Sequence, residues 1–409
     1  MSLQRFSVKC CIVGGGPAGL MAGHLLARAG VEVLVLEKHA DFLRDFRGDT
    51  IHPSTLEVMH ELHLAEKLLK LPHEKIRSFN FHVGERIIPI ADFTGLAMRY
   101  PFIAIMPQWE FLNFLATTAA RYAGFNLMKE AEAIELVDDA GRIAGVRART
   151  PSGDIEVLAD LVIAADGRGS VLRDRAGLKA VEIGAPMDVL WFRLSRVATD
   201  PREVMARLGA GVALIAIDRG DYWQCGCIIP KGAMETTRKR GLEAFRRRIA
   251  DLAPFLRGRV KELRDWEQIK LLTVTVDRLV QWYRPGLLCI GDAAHAMSPI
   301  GGVGINLAIQ DAVAAANILA ASLAEGRDVD GLLGKVQRRR MLPTRIVQAM
   351  QRTAQNRLID RIVLRNVPIK RAPRLLRLMQ RFPVLQRIPA RLIGLGFRPE
   401  HVRSPEAKP

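Results

Sequence analysis

An apolar run at residues 8–13 (VKCCIV) breaks into GGGPAG at 14–19, continues through the amphipathic stretch LMAGHLLARAG and enters a second apolar run, VEVLVLEK, that reaches Glu37. Apolar run, glycine turn, helical period and apolar run spell strand, tight turn, helix and strand, the order of a βαβ unit. Such a unit needs parallel strands with a helix crossing between them, which commits the chain to an α/β fold. Gly14, Gly16 and Gly19 keep the GxGxxG spacing: the first permits the turn, the second lets a pyrophosphate approach the backbone, and the third packs helix on strand. Pro17 falls in the first helical turn, where its missing N–H costs nothing. Glu37 follows Gly16 by 21 residues, where a carboxylate closing the second strand accepts ribose hydroxyls. Together these features point to an adenine dinucleotide, and the motif alone does not separate FAD from NAD.

The rest of the chain bounds the class. With 409 residues, 49% hydrophobic and 25% charged, two interlocked domains with sizeable cores are expected. No uninterrupted apolar run reaches the eighteen or so residues of a spanning helix, and the N-terminus passes directly into the first strand, so a cytoplasmic protein without a cleaved signal is the expectation. Five cysteines (Cys10, Cys11, Cys225, Cys227, Cys289) are odd in number and lack CxxC spacing, which argues against a disulfide framework, a structural zinc or a redox dithiol.

Two further stretches repeat the strand–turn–helix logic. ADLVIAADGRGSVLRDRAG (159–177) places a strand at 161–165, a turn at Asp166-Gly167 and a helix capped by Ser170. GDAAHAMSPIGGVGIN (291–306) follows a strand at 287–290 and opens a helix running from about 305 to 325. The three stretches, in this order and at these separations, resemble the class A FAD-dependent monooxygenases, the group of 4-hydroxybenzoate hydroxylase and the ubiquinone-biosynthesis hydroxylases. The resemblance covers about residues 5–330 and implies a Rossmann-like FAD-binding domain (1–75, 106–180 and 271–330) interleaved with a substrate-binding β-sheet domain (76–105 and 181–270), followed by a basic helical region (331–409).

On that resemblance, Gly14, Gly16, Ala18, Gly19, Glu37 and Lys38 bind the ADP half of FAD, and Arg47 approaches the pyrophosphate and ribityl chain. Gln108, opening the helix QWEFLNFLATTAARY, contacts the ribityl chain. Asp166 and Asp292 are the acids of the DG and GD stretches, Pro299 lies beside the flavin, and Gly302, Gly304, Ile305 and Asn306 belong to the loop whose amides face the pyrimidine edge of the ring. Many relatives carry Gln where this chain has Val303, so a polar contact made there is expected to be absent. The second glycine turn thus serves the other end of the same cofactor. The resemblance also implies the reaction: NADH or NADPH binds transiently and reduces the flavin, O2 forms a C4a-hydroperoxide, and an aromatic or polyketide-like small molecule is hydroxylated. Oriented N–H groups at 304–306 would stabilise negative charge on the reduced ring. Two rival readings stay open: a reductase or dehydrogenase of the same fold, and a non-catalytic flavin-binding protein.

Substrate contacts are sought at 76–105 and 181–270. In YWQCGCIIP (222–230), alternation puts Trp223, Cys225, Cys227 and Ile229 on one face, and that face either lines a pocket or packs a core. Flavin halogenases and geranylgeranyl reductases carry a W/Y-x-W-x-[I/F]-P motif here. This chain keeps Pro230 but has cysteines in place of the aromatics, which favours hydroxylation over halogenation. His295 is read as structural, His52 has no assigned target, and no catalytic base is named. From Lys335 onward, nineteen Lys/Arg face three acids (Asp360, Glu400, Glu406). This tail is expected as helices interrupted by Pro343, Pro368, Pro373, Pro383 and Pro389, serving either as a cap on the FAD domain or as a peripheral contact with an anionic membrane. With only Phe382 and Phe397 as aromatics in the last seventy residues, a nucleic-acid stacking platform is not expected.

Overall fold

The computed structural model describes residues 3–43, 50–83, 86–201, 205–209, 212–356, 378 and 381–407. β1 (Gln4–Val13), α1 (Pro17–Arg28) and β2 (Val33–Glu37) form the expected βαβ unit, with β1 and β2 parallel and Val13 opposite Leu36. Phe125–Lys129 extends the sheet beyond β2, while Gly153–Ala164 and then Leu287–Cys289 extend it beyond β1, all parallel. Both faces of this sheet are covered, which is why its strands read as continuous apolar runs rather than alternating ones. On one side lie α1, helix Gln108–Ala119 and helix Gly304–Ala324. On the other, strands Glu132–Asp139 and Arg142–Thr150 form an antiparallel extension from Gly153–Ala164 and close a second core.

A seven-stranded sheet draws on two stretches of chain. Its order is Lys270–Leu272, Met187–Ser195, Tyr222–Pro230, Val212–Asp218, Met205–Gly209, Ser78–Val83 and Arg86–Asp92, antiparallel except where Met205–Gly209 meets Ser78–Val83. Helix Leu242–Leu252 covers one face. The other face meets Ile300 at one end and Ile103, Ile105 and Ile393 at the other, so it turns toward the first sheet.

One expectation needs correction. Helix Asp330–Ala354 runs through Pro343 without a break. Proline inside a helix costs about 3 kcal/mol, and here its ring is buried on the face packed against Gly304–Ala324, so tertiary packing outweighs the lost hydrogen bond. Residues Ile300–Ala324 are, by length and composition, long and apolar enough to cross a membrane, although Asn306, Gln310 and Asp311 interrupt the apolar run; 72% of that window is buried within the fold. This is the core helix between α1 and Asp330–Ala354. Pro389 sits in the first turn of Arg387–Gly394, where no N–H is required. Pro368 and Pro373 lie outside the described residues.

Candidate cofactor and substrate site

At the N-terminal glycine turn, Gly14 has φ +106° and its N–H donates to Leu36 O at 2.7 Å. A β-carbon on Gly14 would sit 2.3 Å from Ala165 O, and one on Gly19 would sit 1.9 Å from Gly14 O. The first turn is therefore pressed against the residue preceding Asp166 and against its own helix. Gly16 differs: nothing lies within 4 Å of the β-carbon position, and as N-cap of α1 it has no side-chain cap. Space and uncapped N–H groups coincide where a phosphate would bind. Glu37 is buried at the end of β2, where Oε2 accepts from Gly15 N at 2.9 Å and Oε1 from His39 N at 3.0 Å. Those bonds hold the carboxylate beside the turn. Ala18 is buried, and a β-carbon on Gly291 would come within 3.0 Å of Ala18 Cβ, so the first and third glycine turns meet there. Lys38 is exposed.

At the other end, Asp166 accepts from Leu172 N at 3.4 Å through Oδ2, while its buried Oδ1 has no partner among the described residues. Burial pushes its carboxyl up from the ordinary range. Ser170 caps the next helix as expected, accepting from Arg173 N at 3.1 Å. Arg168 Nε donates to Asp292 Oδ2 at 3.0 Å, a link between the DG and GD stretches that the sequence reading missed. Gly301 and Gly302 have φ of +79° and +63°, a reversal that glycine tolerates and that aims helix Gly304–Ala324 at the site. That helix also has no side-chain cap, and the β-carbon position of Gly304 is open. Two uncapped helix N-termini, open space at both glycines and an unpartnered buried carboxylate oxygen between them fit an extended dinucleotide with an anion at one end and an electron-rich ring at the other.

The side chains of some expected residues are committed elsewhere. Ile305 is buried in the core. Asn306 uses its side chain as a brace, with Oδ1 accepting from His52 N at 3.0 Å and Thr55 Oγ1 at 2.7 Å. Thr50 Oγ1 donates to Gly302 O at 2.6 Å, so segment 50–55 holds the ring loop from outside. Pro299 begins the short turn Ile300–Gly302 as its N-cap, and Gln108 is the half-buried first residue of its helix. Arg47 lies outside the described residues. His295 is bonded to Asp311 in the core and His52 Nδ1 to Ile393 O at 2.8 Å; both are architectural.

The pocket-lining expectation for Trp223, Cys225 and Cys227 is corrected. All three are sealed in the core under helix Leu242–Leu252, and Trp223 Nε1 donates to Asp200 Oδ2 at 2.7 Å. Alternation was read correctly, but its apolar face meets the covering helix, and the opposite face (Gln224, Gly226, Ile228) turns toward the first sheet.

The end of the chain returns to the first sheet's helices. Glu400 pairs with Arg339 at 2.6 Å and Arg340 at 3.4 Å, Val402 N donates to Glu61 at 2.7 Å, and Glu406 pairs with Arg28 at 2.7 Å.

The sequence model of the FAD binding domain family matches residues 7–350. The 6-methylpretetramide 4-monooxygenase of Streptomyces rimosus is 32% identical over 315 residues, 76% of this chain and 75% of that protein. A digeranylgeranylglycerophospholipid reductase of Thermoplasma volcanium is 26% identical over 342 residues, 80% and 81% of the two chains. Among solved structures, the OxyS anhydrotetracycline hydroxylase of Streptomyces rimosus matches with TM-score 0.72 at 25% identity, over 95% of this chain and 76% of that one. PqsL of Pseudomonas aeruginosa matches with TM-score 0.74 at 20% identity, over 87% and 97%. Fold, glycine turns and relatives agree: the chain belongs to the FAD binding domain family, among its class A FAD-dependent monooxygenases.

Proposed function

We propose that this monooxygenase uses NADH or NADPH and O2 to hydroxylate an aromatic or polyketide-like small molecule. The observation that supports the reading is the close approach of Gly291 to Ala18 and Ala308, where an added β-carbon would lie 3.0 and 3.3 Å from theirs, so that the first and third glycine turns lie side by side, each followed by a helix without a side-chain cap. Relatives named for 6-methylpretetramide and anhydrotetracycline support the substrate class.

FAD, when bound, would supply the redox chemistry: two-electron exchange with the nicotinamide and activation of O2, one atom of which goes to the substrate and the other to water. The chain supplies position and electrostatics. Gly16 leaves room for the pyrophosphate, Glu37 holds the ribose, and the amides of Gly304, Ile305 and Asn306 offer N–H donors and a positive helix end to developing negative charge. Asn306, Thr50, Thr55 and His52 keep that end from shifting. The basic C-terminal region acts in this reading as a cap, on the strength of the ion pairs made by Glu400 and Glu406.

The reductase relatives define the competing reading. Turnover of anhydrotetracycline by the FAD-loaded enzyme with NADH or NADPH under 18O2 separates the two. A product that gains one labelled oxygen is expected; one that gains hydrogens and no label assigns the chain to the reductases.

A further inference from the structure

The net charge of +17 is not evenly spread: between residues 361 and 399 stand ten Lys/Arg and no acid. Helix Asp330–Ala354 leads toward that stretch, and Asp330 is the one acid in its sequence. Its inner side is spent on the fold. Leu333, Val336, Pro343 and Val347 are buried, Arg339 and Arg340 pair with Glu400, and Arg340 also pairs with Asp311. The outer side has no such commitments. Lys335, Arg338, Leu342, Arg345, Ala349 and Arg352 are all exposed, and their steps of three and four residues put them on one stripe, about 25 Å long at 1.5 Å per residue. None of its four bases pairs with an acid among the described residues. Met350, one position off the stripe, is exposed as well.

A second element of the same character lies beside it. Helix Arg387–Gly394 contributes Leu392 and Ile393 to a narrow cleft that Pro343 and Val347 line from the longer helix. It turns Ala390 and Gly394 inward, and a β-carbon on Gly394 would sit 3.2 Å from both Phe93 and Pro53. That close packing fixes which side faces out: Arg387, Ile388 and Arg391 are exposed. Phe382, Val384 and Ile388 are 48%, 60% and 59% exposed, three large apolar groups within seven residues, where an ordinary soluble surface carries them singly. Arg381, Arg387 and Arg391 stand among them, again without an acidic partner among the described residues.

Unpaired bases alone would suit any polyanion, and the apolar groups between them choose among polyanions. Leu342, Met350, Val384 and Ile388 offer no stacking plane to a nucleic acid. On a bilayer they enter the acyl boundary while the neighbouring guanidinium groups meet lipid phosphates. We propose that the outer faces of helices Asp330–Ala354 and Arg387–Gly394 dock on the surface of an anionic lipid bilayer. The inner side of the longer helix keeps its place as a cap on the first sheet's helices, so one helix serves both purposes with opposite faces. The proposal is independent of the hydroxylase reading, because neither face touches the glycine turns through these groups.

The test is flotation of the FAD-loaded full-length protein with vesicles of mixed phosphatidylcholine and phosphatidylglycerol, against vesicles of phosphatidylcholine alone. Wild type is expected to float with the anionic vesicles only, and to bind them about tenfold or more less tightly as salt rises from about 0.1 to about 0.5 M. Each base near an anionic surface strengthens binding about fivefold, so Arg338→Glu, Arg345→Glu and Arg352→Glu combined should weaken it by about a hundredfold, with FAD content and melting temperature preserved at these exposed positions. Leu342→Ser with Met350→Ser leaves the charge untouched and should weaken binding by about fivefold; this pair decides the matter if the triple variant folds poorly. Wild type that stays off anionic vesicles, equal flotation with both lipids, or variants that bind like wild type would overturn the proposal. Tight binding to duplex DNA without flotation would assign the stripe to nucleic acid instead. Flotation reads no turnover, so this result and the labelled-oxygen result fail separately.

Discussion

His295 Nε2 lies 2.6 Å from Asp311 Oδ2, and both side chains are sealed from solvent. The same Asp311 oxygen accepts from Gly291 N at 3.1 Å, and the other accepts from Arg340 Nε at 2.9 Å. Burial alone would push the Asp311 carboxyl up, but His295 and Arg340 hold it below the usual range. One carboxylate thus ties the third glycine turn to the helix behind the ring loop and, through Arg340 and Glu400, to the end of the chain. Asp311→Asn keeps the volume and removes the charge, leaving Arg340 buried without its main partner, which should cost about 3–5 kcal/mol. Urea unfolding of the variant measures it; a midpoint equal to wild type would mean the network is not what holds these elements together.

The glycines of the first turn should separate folding from cofactor binding. Gly16 has an ordinary extended conformation and open space at its β-carbon, so Gly16→Ala is expected to fold with an unchanged apo melting temperature and to lose most of its FAD. Gly14→Ala meets Ala165 O and demands a left-handed φ, so it should lose both fold and flavin. Flavin absorbance per protein, alongside circular dichroism, distinguishes these cases. Full yellow occupancy in Gly16→Ala would contradict the phosphate assignment. The same absorbance checks Glu37→Arg, expected to come off purification without FAD.

Cys225 and Cys227 belong to the sealed core, and burial pushes the Cys227 thiol up to about 12. Cys225→Ala should lower stability by about 1–2 kcal/mol through the small cavity it leaves and leave the KM for substrate unchanged. A several-fold rise in KM at unaltered FAD content would restore this strand face to the substrate site.

The sequence made some parts of the site legible and hid others for physical reasons. Gly14, Gly16, Gly19 and Glu37 act through backbone conformation and local spacing, and both are written in consecutive residues. The partners of those groups are long-range: Ala165 against Gly14, Arg168 on Asp292, and segment 50–55 bracing Asn306. No local pattern encodes such pairs. Trp223 shows a different limit, because alternation gives two faces to a strand but does not say which is covered by a helix. Pro343 shows another, since a helix-breaking residue yields when enough packing surrounds it.

Two buried histidines set the expected response to acid. Burial, then the charge of Arg28, lowers His24 to about 4; burial lowers His52 to about 4, against the carbonyls of Ile393 and Gly302 that favour its protonated form. In the unfolded chain both titrate near 6.5. The unfolded state therefore binds more protons between pH 6.5 and 4, and stability must fall as pH drops through that window. Each group should remove about 2 kcal/mol between pH 7 and 5. The depressed carboxyls of Asp311 and Asp200 keep their contribution until the pH falls below the ordinary carboxylate range, so the histidine window is separable. Urea midpoints measured from pH 7.5 to 5 should decline for wild type and less steeply for His52→Asn, whose amide still reaches toward Ile393 O but does not titrate. A flat wild-type profile, or a variant slope equal to that of wild type, would show that His52 is not held neutral in the folded protein.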